Sequence, residues 1–435
     1  MKRFLHFGFL LMGFTFTVTQ GLLIRELLVA FFGNELSIGL ILGSWLLLEA
    51  IGSGLLGRLA GRWGRTAASF AVLQILFALF LPLCLYAASI SRSLAGAIPG
   101  EGVGLIPIFY SSFLILAPLA LVDGAMFAFG VRAYAHLTSN EVPSIGWVYV
   151  YEAVGGIGGG ILFTFLFVPL LLSVQIALLL SVLNLLSASL ILTSSYPSTR
   201  KRLLLSSLAV VLLLSTSLGL FLAPQVEEVQ HWLAGQQWAG HNLVYSQNSV
   251  YGNVAVVRRE TQYTFYADGI PILTAPVPDV VQSEEIVHFP MLFFPDRPRR
   301  ALVLSGGVGG VLRELGKYPL EQIDYAELDP LLIEAVSEHA TPLTVSELSD
   351  PRMRVEYVDG RLLVRNRSWE LARQLGAGYD LVIVNLPYPS TLQLNRFYTL
   401  EFYQMVRELM TEHGILIISC PGSLSYVSDE LRDLN

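Results

Sequence analysis

The chain has 435 residues, of which 53% are hydrophobic and 14% charged, with a formal net charge of -7. That composition is too apolar for one soluble globular protein, and the length is too great for one domain. The acidic balance and the lack of a basic tract exclude nucleic acid as a partner, and two cysteines, Cys84 and Cys420, give neither a disulfide framework nor a cysteine metal site. No metal site is expected.

Seven apolar windows run from the N-terminus, at 5–31, 36–57, 67–89, 105–131, 146–171, 174–194 and 203–223. A helix needs about twenty apolar residues to cross a bilayer, so these windows predict seven transmembrane helices within residues 1–223, with lipid as their surroundings. The first window opens with MKR, but it is too long for a signal peptide and lacks a small-residue cleavage site, so it reads as a retained helix. Lys2, Arg3, Arg58, Arg62, Arg65, Arg132, Arg200, Lys201 and Arg202 fall on one side of seven spans, with little beyond Arg92 on the other. Positive charge marks the cytoplasmic side, which is where the N-terminus is expected. An odd number of spans then puts the C-terminal domain on the outer face.

Arg25, Glu26, Glu49, Asp123 and Glu152 stand inside apolar segments, where ionisable groups are costly. Pairing between helices, with Arg25 or Arg132 as the base, is the simpler reading; a polar pathway or ligand site is the functional one. GSGLLG at 52–57 and GGIGGG at 155–160 read as surfaces for close helix packing.

The composition turns to an ordinary α/β mixture after 223. We expect a linker over 224–246 and a small β-rich subdomain over 247–299. Its strand-like runs are 253–258, 262–267 and 270–274, with Asp268-Gly269 as a hairpin turn and a helix within 284–292. From 300 to 435 the pattern is strand, glycine turn, helix and acid-ended strand. Strands are expected at 301–304, 323–327, 354–358, 381–384 and 415–419, with helices starting near Gly360 and Thr399. Gly306, Gly307, Gly309 and Gly310 let a backbone turn approach a ligand, and Glu327 follows about twenty residues later, where a carboxylate accepts ribose hydroxyls. Ligands of such sheets lie at the carboxyl ends of the strands, which gathers the glycines, Glu327, Asp329, Asp359 and Asn385 around one crevice. Asp359-Gly360 suits an adenine amino group or a bland turn. The glycine turn lacks the Lys-Ser/Thr of a P-loop, which argues against ATP hydrolysis. Thr399 reads as a helix N-cap, and Arg396 is left open as an anion contact. The fold class is therefore an N-terminal seven-helix transmembrane bundle plus a C-terminal α/β Rossmann-like (methyltransferase-like) domain preceded by a small β-hairpin layer.

The pieces SVYGNVAVV, YADGIPIL, SEEIVHFPML, VLSGGVGGVLREL, YAELDPLLIEAV, DPRMRVEYVDGR, YDLVIVNLPYP and RFYTLEFYQMV stand in an order that resembles the polyamine aminopropyltransferases, the spermidine and spermine synthases. The whole chain resembles their bacterial membrane-fused relatives. The resemblance implies transfer of an aminopropyl group from decarboxylated S-adenosylmethionine to an amine, releasing methylthioadenosine, with no tightly bound cofactor, a bacterial inner membrane location and a homodimer as partner state. It also implies that Glu327 binds ribose and Asp359-Gly360 the adenine. The amine side departs from the family: Val308 stands for an aspartate, Asn385 and Tyr388 for the two carboxylates of a D-x-x-D signature, Gly252 for a glutamine, and Gln282 and Ser283 for a Tyr-His or Tyr-Gln pair. A diamine nucleophile must lose a proton, and Asn385, at the position of the general base, cannot take it. His288 is a substitute base or a packed helix residue. The related domains also continue through strands beyond the point where this sequence stops, at 428–435. An altered acceptor or lost turnover follows. The alternatives are a non-catalytic sensor or scaffold coupled to the helices, a solute transporter with a soluble regulator depending on Glu49, Asp123 or Glu152, and a methyltransferase using S-adenosylmethionine.

Overall fold

The computed structural model describes residues 1–31, 33–60, 66–94, 103–138, 141–195, 207, 210–211, 213–215, 217–218, 225–371, 378–387, 389 and 391–419. The chain divides into two compact units, Met1–Gly240 and His241–Asn435.

The first unit is helical: α1 Lys2–Phe31, α2 Glu35–Ile51, α3 Thr66–Leu94, α4 Leu105–Thr138, α5 Glu141–Leu162, α6 Ser173–Ser195 and α7 Gln225–Gln237. Six stretches, one in each of the first six helices, are long and apolar enough to cross a membrane. The seventh expected span, 203–223, lies largely outside the described residues, as do Arg62, Arg65, Arg200, Lys201 and Arg202. α2 runs into a π-helical turn, Gly52–Leu56, and α5 into another, Phe163–Phe167.

Small residues bring the helices together. A Cβ on Gly13 would overlap the Glu152 carbonyl of α5, and one on Gly155 the Leu10 carbonyl of α1. Gly124 of α4 sits in the same way on the Glu49 carbonyl, and Gly52 on that of Leu121. Both glycine clusters thus serve helix packing. Polar groups are met mostly by hydrogen bonds. Glu26 accepts from Ser173 Oγ at 2.6 Å and Gln237 Nε2 at 3.2 Å. Arg92, 2% exposed, donates to the Ala30 and Val29 carbonyls at 2.9 and 3.1 Å, capping the last turn of α1. The stretch expected to be a linker, 224–246, is instead occupied by α7 and the start of a strand. α7 is held by Gln230, which accepts from the Val174 amide at 3.1 Å, and by Trp232, which stacks on Tyr86.

The second unit opens with a four-stranded antiparallel sheet in the order β1-β2-β3-β4: β1 Leu243–Asn248, β2 Asn253–Arg259, β3 Gln262–Ala267, β4 Ile270–Ala275. Asp268 and Gly269, with φ of 47° and 79°, make the tight turn between β3 and β4. After α8, Val280–Met291, come β5 Arg300–Leu304, α9 Val311–Gly316, β6 Gln322–Glu327, α10 Pro330–Glu338, α11 Pro342–Leu348, β7 Met353–Tyr357, α12 Gly360–Leu371, β8 Tyr379–Val384, α13 Leu392–Asn395, α14 Leu400–Leu409 and β9 Met410–Ile418. The second sheet is parallel, in the order β7-β6-β5-β8-β9. Successive residues of β5 alternate between two cores: Ala301 and Val303 face β2, β3, α9 and α10, whereas Leu302 and Leu304 face α12 and α14. The strand order reverses between β5 and β8, and the ends of those two strands define the crevice.

Gly13→Ala, which drives a methyl group into the α5 backbone, is expected to destabilise the first unit by about 1–3 kcal/mol. Gly158→Ala, where nothing lies within 4 Å of the added carbon, should leave it unchanged. Melting midpoints of the detergent-solubilised protein check both.

Candidate nucleoside site

Four strands of the parallel sheet end in the residues expected to bind: Gly306–Gly310 after β5, Glu327 and Asp329 at and after β6, Asp359-Gly360 after β7 and Asn385 after β8. The glycine turn starts with Ser305 at φ 60°, an uncommon conformation for a residue with a side chain, and carries Gly309 and Gly310 at 97° and 127°. Its neighbours are close on every side. A Cβ on Gly306 would lie 2.6 Å from the Asn385 carbonyl, one on Gly307 2.9 Å from the Tyr325 ring, and one on Gly309 3.0 Å from Leu273 of β4. One on Gly310 would overlap Ser283 of α8. Packing therefore already requires these glycines.

The amides of the turn have a protein anion as partner. Glu347, 1% exposed at the end of α11, accepts from Gly309 at 2.9 Å, Gly310 at 2.7 Å and Arg313 at 3.2 Å. Burial pushes its carboxyl up, against the opposing effect of those three amides. A helix start so occupied already has an anion of its own, in agreement with the absence of a P-loop sequence.

Glu327 is 4% exposed. Tyr325 Oη donates to it at 2.6 Å and the Leu328 amide at 2.9 Å. Burial raises its pKa above the ordinary glutamate value, with Tyr325 and backbone amides opposing. The Asp329 amide also acts on it. A carboxylate has about four lone-pair positions, so three protein donors leave acceptor capacity for a ribose hydroxyl. Asp359 is the N-cap of α12, accepting from the Leu362 amide at 3.0 Å, and its other oxygen pairs with Arg396. Arg396 is thereby committed to a protein carboxylate, and the open question of its anion is answered inside the chain. Thr399 caps α14 as expected, accepting from the Phe402 amide.

The amine side differs from expectation. Val308, expected to face substrate, is 2% exposed and belongs to the core with Val311 and Tyr325. Ser283 is buried against Gly310, whereas Gln282 is exposed in the first turn of α8. Tyr388 lies outside the described residues. Asn385 Nδ2 donates to the Gly306 carbonyl at 2.8 Å, a bond that needs an N–H and that a carboxylate cannot make. His288 is not with these residues. Its Nδ1 is 2.7 Å from Tyr318 Oη and its Nε2 2.8 Å from Glu314, partners toward and beyond the end of α9 that leads away from the strand ends. The substitute-base reading is thus replaced by a packing role. Glu284, His288 and Glu314 bring one ligand atom each within 4.8 Å of one another, but Lys317 and Arg313 take the Glu314 oxygens. Burial raises the Glu314 pKa, and hydrogen bonds from Lys317, Arg313 and His288 outweigh it, leaving the carboxyl below its ordinary value.

Carboxylates do remain beside Gly252. Asp268 packs directly on its Cα and accepts from the Asn253 amide at 2.8 Å, and Asp329 accepts from Ser249 at 2.6 Å, whose Oγ in turn accepts from the Gly252 amide at 3.2 Å. The sequence singled out Gly252, Asp329 and the Asp268-Gly269 hairpin separately, but not their grouping. Glu347 gave no signal at all.

Residues 279–431 match the spermine/spermidine synthase domain. The second unit carries a spermine/spermidine synthase domain. A polyamine aminopropyltransferase of Oceanobacillus iheyensis is 27% identical over 312 residues, 71% of this chain and 58% of that protein. Polyamine aminopropyltransferase 2 of Aquifex aeolicus is 30% identical over 277 residues, 63% of this chain and 52% of that protein. The chain therefore spans little more than half the length of these curated relatives. Both alignments are longer than the second unit, so the likeness extends into the first, in keeping with a fused relative. A spermidine synthase structure from Thermotoga maritima is 26% identical, covering 40% of this chain and 56% of that one, with a TM-score of 0.34.

Asn385→Asp, which restores the carboxylate of the synthase pattern, is expected to lower stability by about 1–3 kcal/mol, because two acceptors then face each other at Gly306. A shift in melting midpoint measures it. Glu314→Gln should cost about 2 kcal/mol near neutral pH. The depressed Glu314 carboxyl contributes stability that is present above the ordinary glutamate value and lost as pH falls through its lower folded value. The variant's midpoint should therefore fall less steeply with acid than that of the wild type.

Proposed function

We propose that the synthase domain binds an adenosyl compound, decarboxylated S-adenosylmethionine or a close relative, and is of aminopropyltransferase class with an acceptor side changed from that of a diamine synthase. The observation that carries this is the gathering of the glycine turn, Glu327 and Asp359 at strand ends beside the β5–β8 switch point. Ligands of parallel sheets bind at such a point.

In aminopropyl transfer an amine nitrogen attacks the propyl carbon next to sulfur. The C–S bond breaks, its electron pair neutralises the sulfonium as methylthioadenosine leaves, and the nitrogen gives up a proton. Asn385 does not take that proton, since its oxygen is an amide and its N–H is used on Gly306. A base must come from the acceptor, from solvent or from Asp268 and Asp329. The same observation favours a second reading, in which the domain binds the nucleoside without turnover and acts as a sensor.

The six apolar helices support insertion in a bacterial inner membrane. A seventh crossing is supported by the ends of the first unit: Ser195 Oγ lies 3.9 Å from Met1 Sδ, whereas Gln237 bonds Glu26 near the opposite end of α1. On this reading the N-terminus is cytoplasmic and the synthase domain lies on the outer face.

Calorimetric titration of the detergent-solubilised protein with decarboxylated S-adenosylmethionine, S-adenosylmethionine and methylthioadenosine tests the site. Glu327→Gln should weaken binding about 10- to 100-fold. The ionised carboxylate accepts the hydroxyls and its pKa is raised by burial, so affinity should fall with acid at a pH above the ordinary glutamate value. Stability from this group runs the other way, present below the ordinary value and lost as pH rises through the raised one. Absence of binding to all three compounds by folded protein would remove the enzyme and sensor readings together.

A further inference from the structure

Three acids of the first unit come together from three helices. The α2–α4 crossing seats the Glu49 carbonyl on Gly124, next to Asp123, and the α1–α5 crossing seats the Glu152 carbonyl on Gly13. Asp123 is 2% exposed, while Glu49 and Glu152 are half-buried. The charged groups acting on Asp123 are Glu49 and Glu152. Asp123 Oδ1 has no hydrogen-bond partner among the described residues.

Other buried polar atoms nearby share that condition. Ser44 Oγ and Trp45 Nε1 of α2, one turn before Glu49, and Thr19 Oγ1 of α1, one turn after Phe16, are likewise without partners, each on a residue at most 1% exposed. Phe16 and Trp45 are in edge contact at 5.6 Å, which brings these α1 and α2 positions together. The backbone leaves α-helical geometry immediately after this point, in the π-helical turn Gly52–Leu56, and such turns recur at functional sites. Buried polar groups are nearly always hydrogen-bonded, so an unpartnered Asp123 oxygen on which two further acids act marks a place that takes a ligand rich in positive charge and donors.

The spacing discriminates between classes of cation. A single metal ion needs its oxygens to converge at about 2.0–2.6 Å. Among the described residues only Glu284, His288 and Glu314 bring acid or histidine ligand atoms within 4.8 Å of one another, and these three acids do not. Their carboxylates suit charges spread along a flexible chain, whose methylene groups would meet the apolar core that holds Leu48, Leu119 and Met126.

We propose that Glu49, Asp123 and Glu152 form a binding site for a linear protonated polyamine within the helical unit. The choice of polyamine among alkylamines rests on the aminopropyltransferase reading of the synthase domain; the site itself rests on the helices alone.

The test is equilibrium binding of radiolabelled spermidine to the full-length protein in detergent, beside a nucleoside titration on the same samples. Asp123→Asn and Glu152→Gln should each lower spermidine affinity by about tenfold or more, with nucleoside binding retained as evidence of folding. Glu327→Gln should lose nucleoside and keep spermidine. Unchanged spermidine affinity in both Asp123→Asn and Glu152→Gln would overturn the proposal, as would displacement of spermidine by millimolar sodium, which would assign the acids to an inorganic ion. Loss of spermidine in Glu327→Gln would also overturn it, by placing the amine in the synthase domain. If wild-type protein binds no nucleoside yet binds spermidine through Asp123, the synthase reading fails and this one stands.

Discussion

The bond from Asn385 to the Gly306 carbonyl ties the end of β8 to the end of β5, the two strands between which the parallel sheet reverses its order. Any ligand at that switch point must be received by a turn already fixed from several directions. Tyr325 lies under Gly307, Leu273 against Gly309, Ser283 against Gly310, and Glu347 draws in three amides. What remains for recognition is the rim: Ser305 and Gly306, the edge of Glu327 and the cap at Asp359. A site built this way would suit the proposed nucleoside, held through hydroxyl and amino groups without a phosphate grip. On the proposed reading, the amide that fixes the turn also stands at the position expected to hold the proton acceptor, so one residue accounts for both.

Two buried glutamates show how differently the domain handles negative charge. Glu314 is surrounded by Lys317, Arg313 and His288, and its carboxyl is held below the ordinary value. Glu347 has amides as its hydrogen-bond donors, and burial wins, raising it. Full countercharge makes the first a brace between α8 and α9. The amide dipoles of the second match the start of α9, where negative charge is favoured. Neither glutamate is left for substrate.

Much of this was legible in the sequence because the relevant signals are local. Apolar runs marked β5 and β8, the acid-ended pattern after the glycine turn marked β6, Asp268-Gly269 marked its hairpin, and Thr399 its helix start. Features made by distant contacts were not. α7 is polar and reads as a linker until Glu26, Val174 and Tyr86 of the helical unit are seen to hold it. Glu347 lies 37 residues from Gly310, and Arg396 lies 37 from Asp359, so no periodicity links either pair. The resemblance led Val308 to be expected on the substrate side, but it is 2% exposed and lies in the core. Sequence position identifies the equivalent residue and leaves its direction to the backbone.

Satisfaction of buried acids gives the helical unit its meaning. Glu26 has Ser173 and Gln237, Glu314 has its cations, Glu347 its amides, and Glu327 its tyrosine and an amide. Asp123 is the buried acid of the described residues left with an unpartnered oxygen, and it is the one with two further acids acting on it. A structural role alone would favour an apolar residue there, since burying an unpaired charge beside like charges is unfavourable on both counts. Gly124 lets α4 press Asp123 toward Glu49 where a side chain would hold the helices apart. The packing that makes the helical unit compact thus concentrates the negative charge, and the proposed cationic ligand would relieve both the missing hydrogen bond and the repulsion.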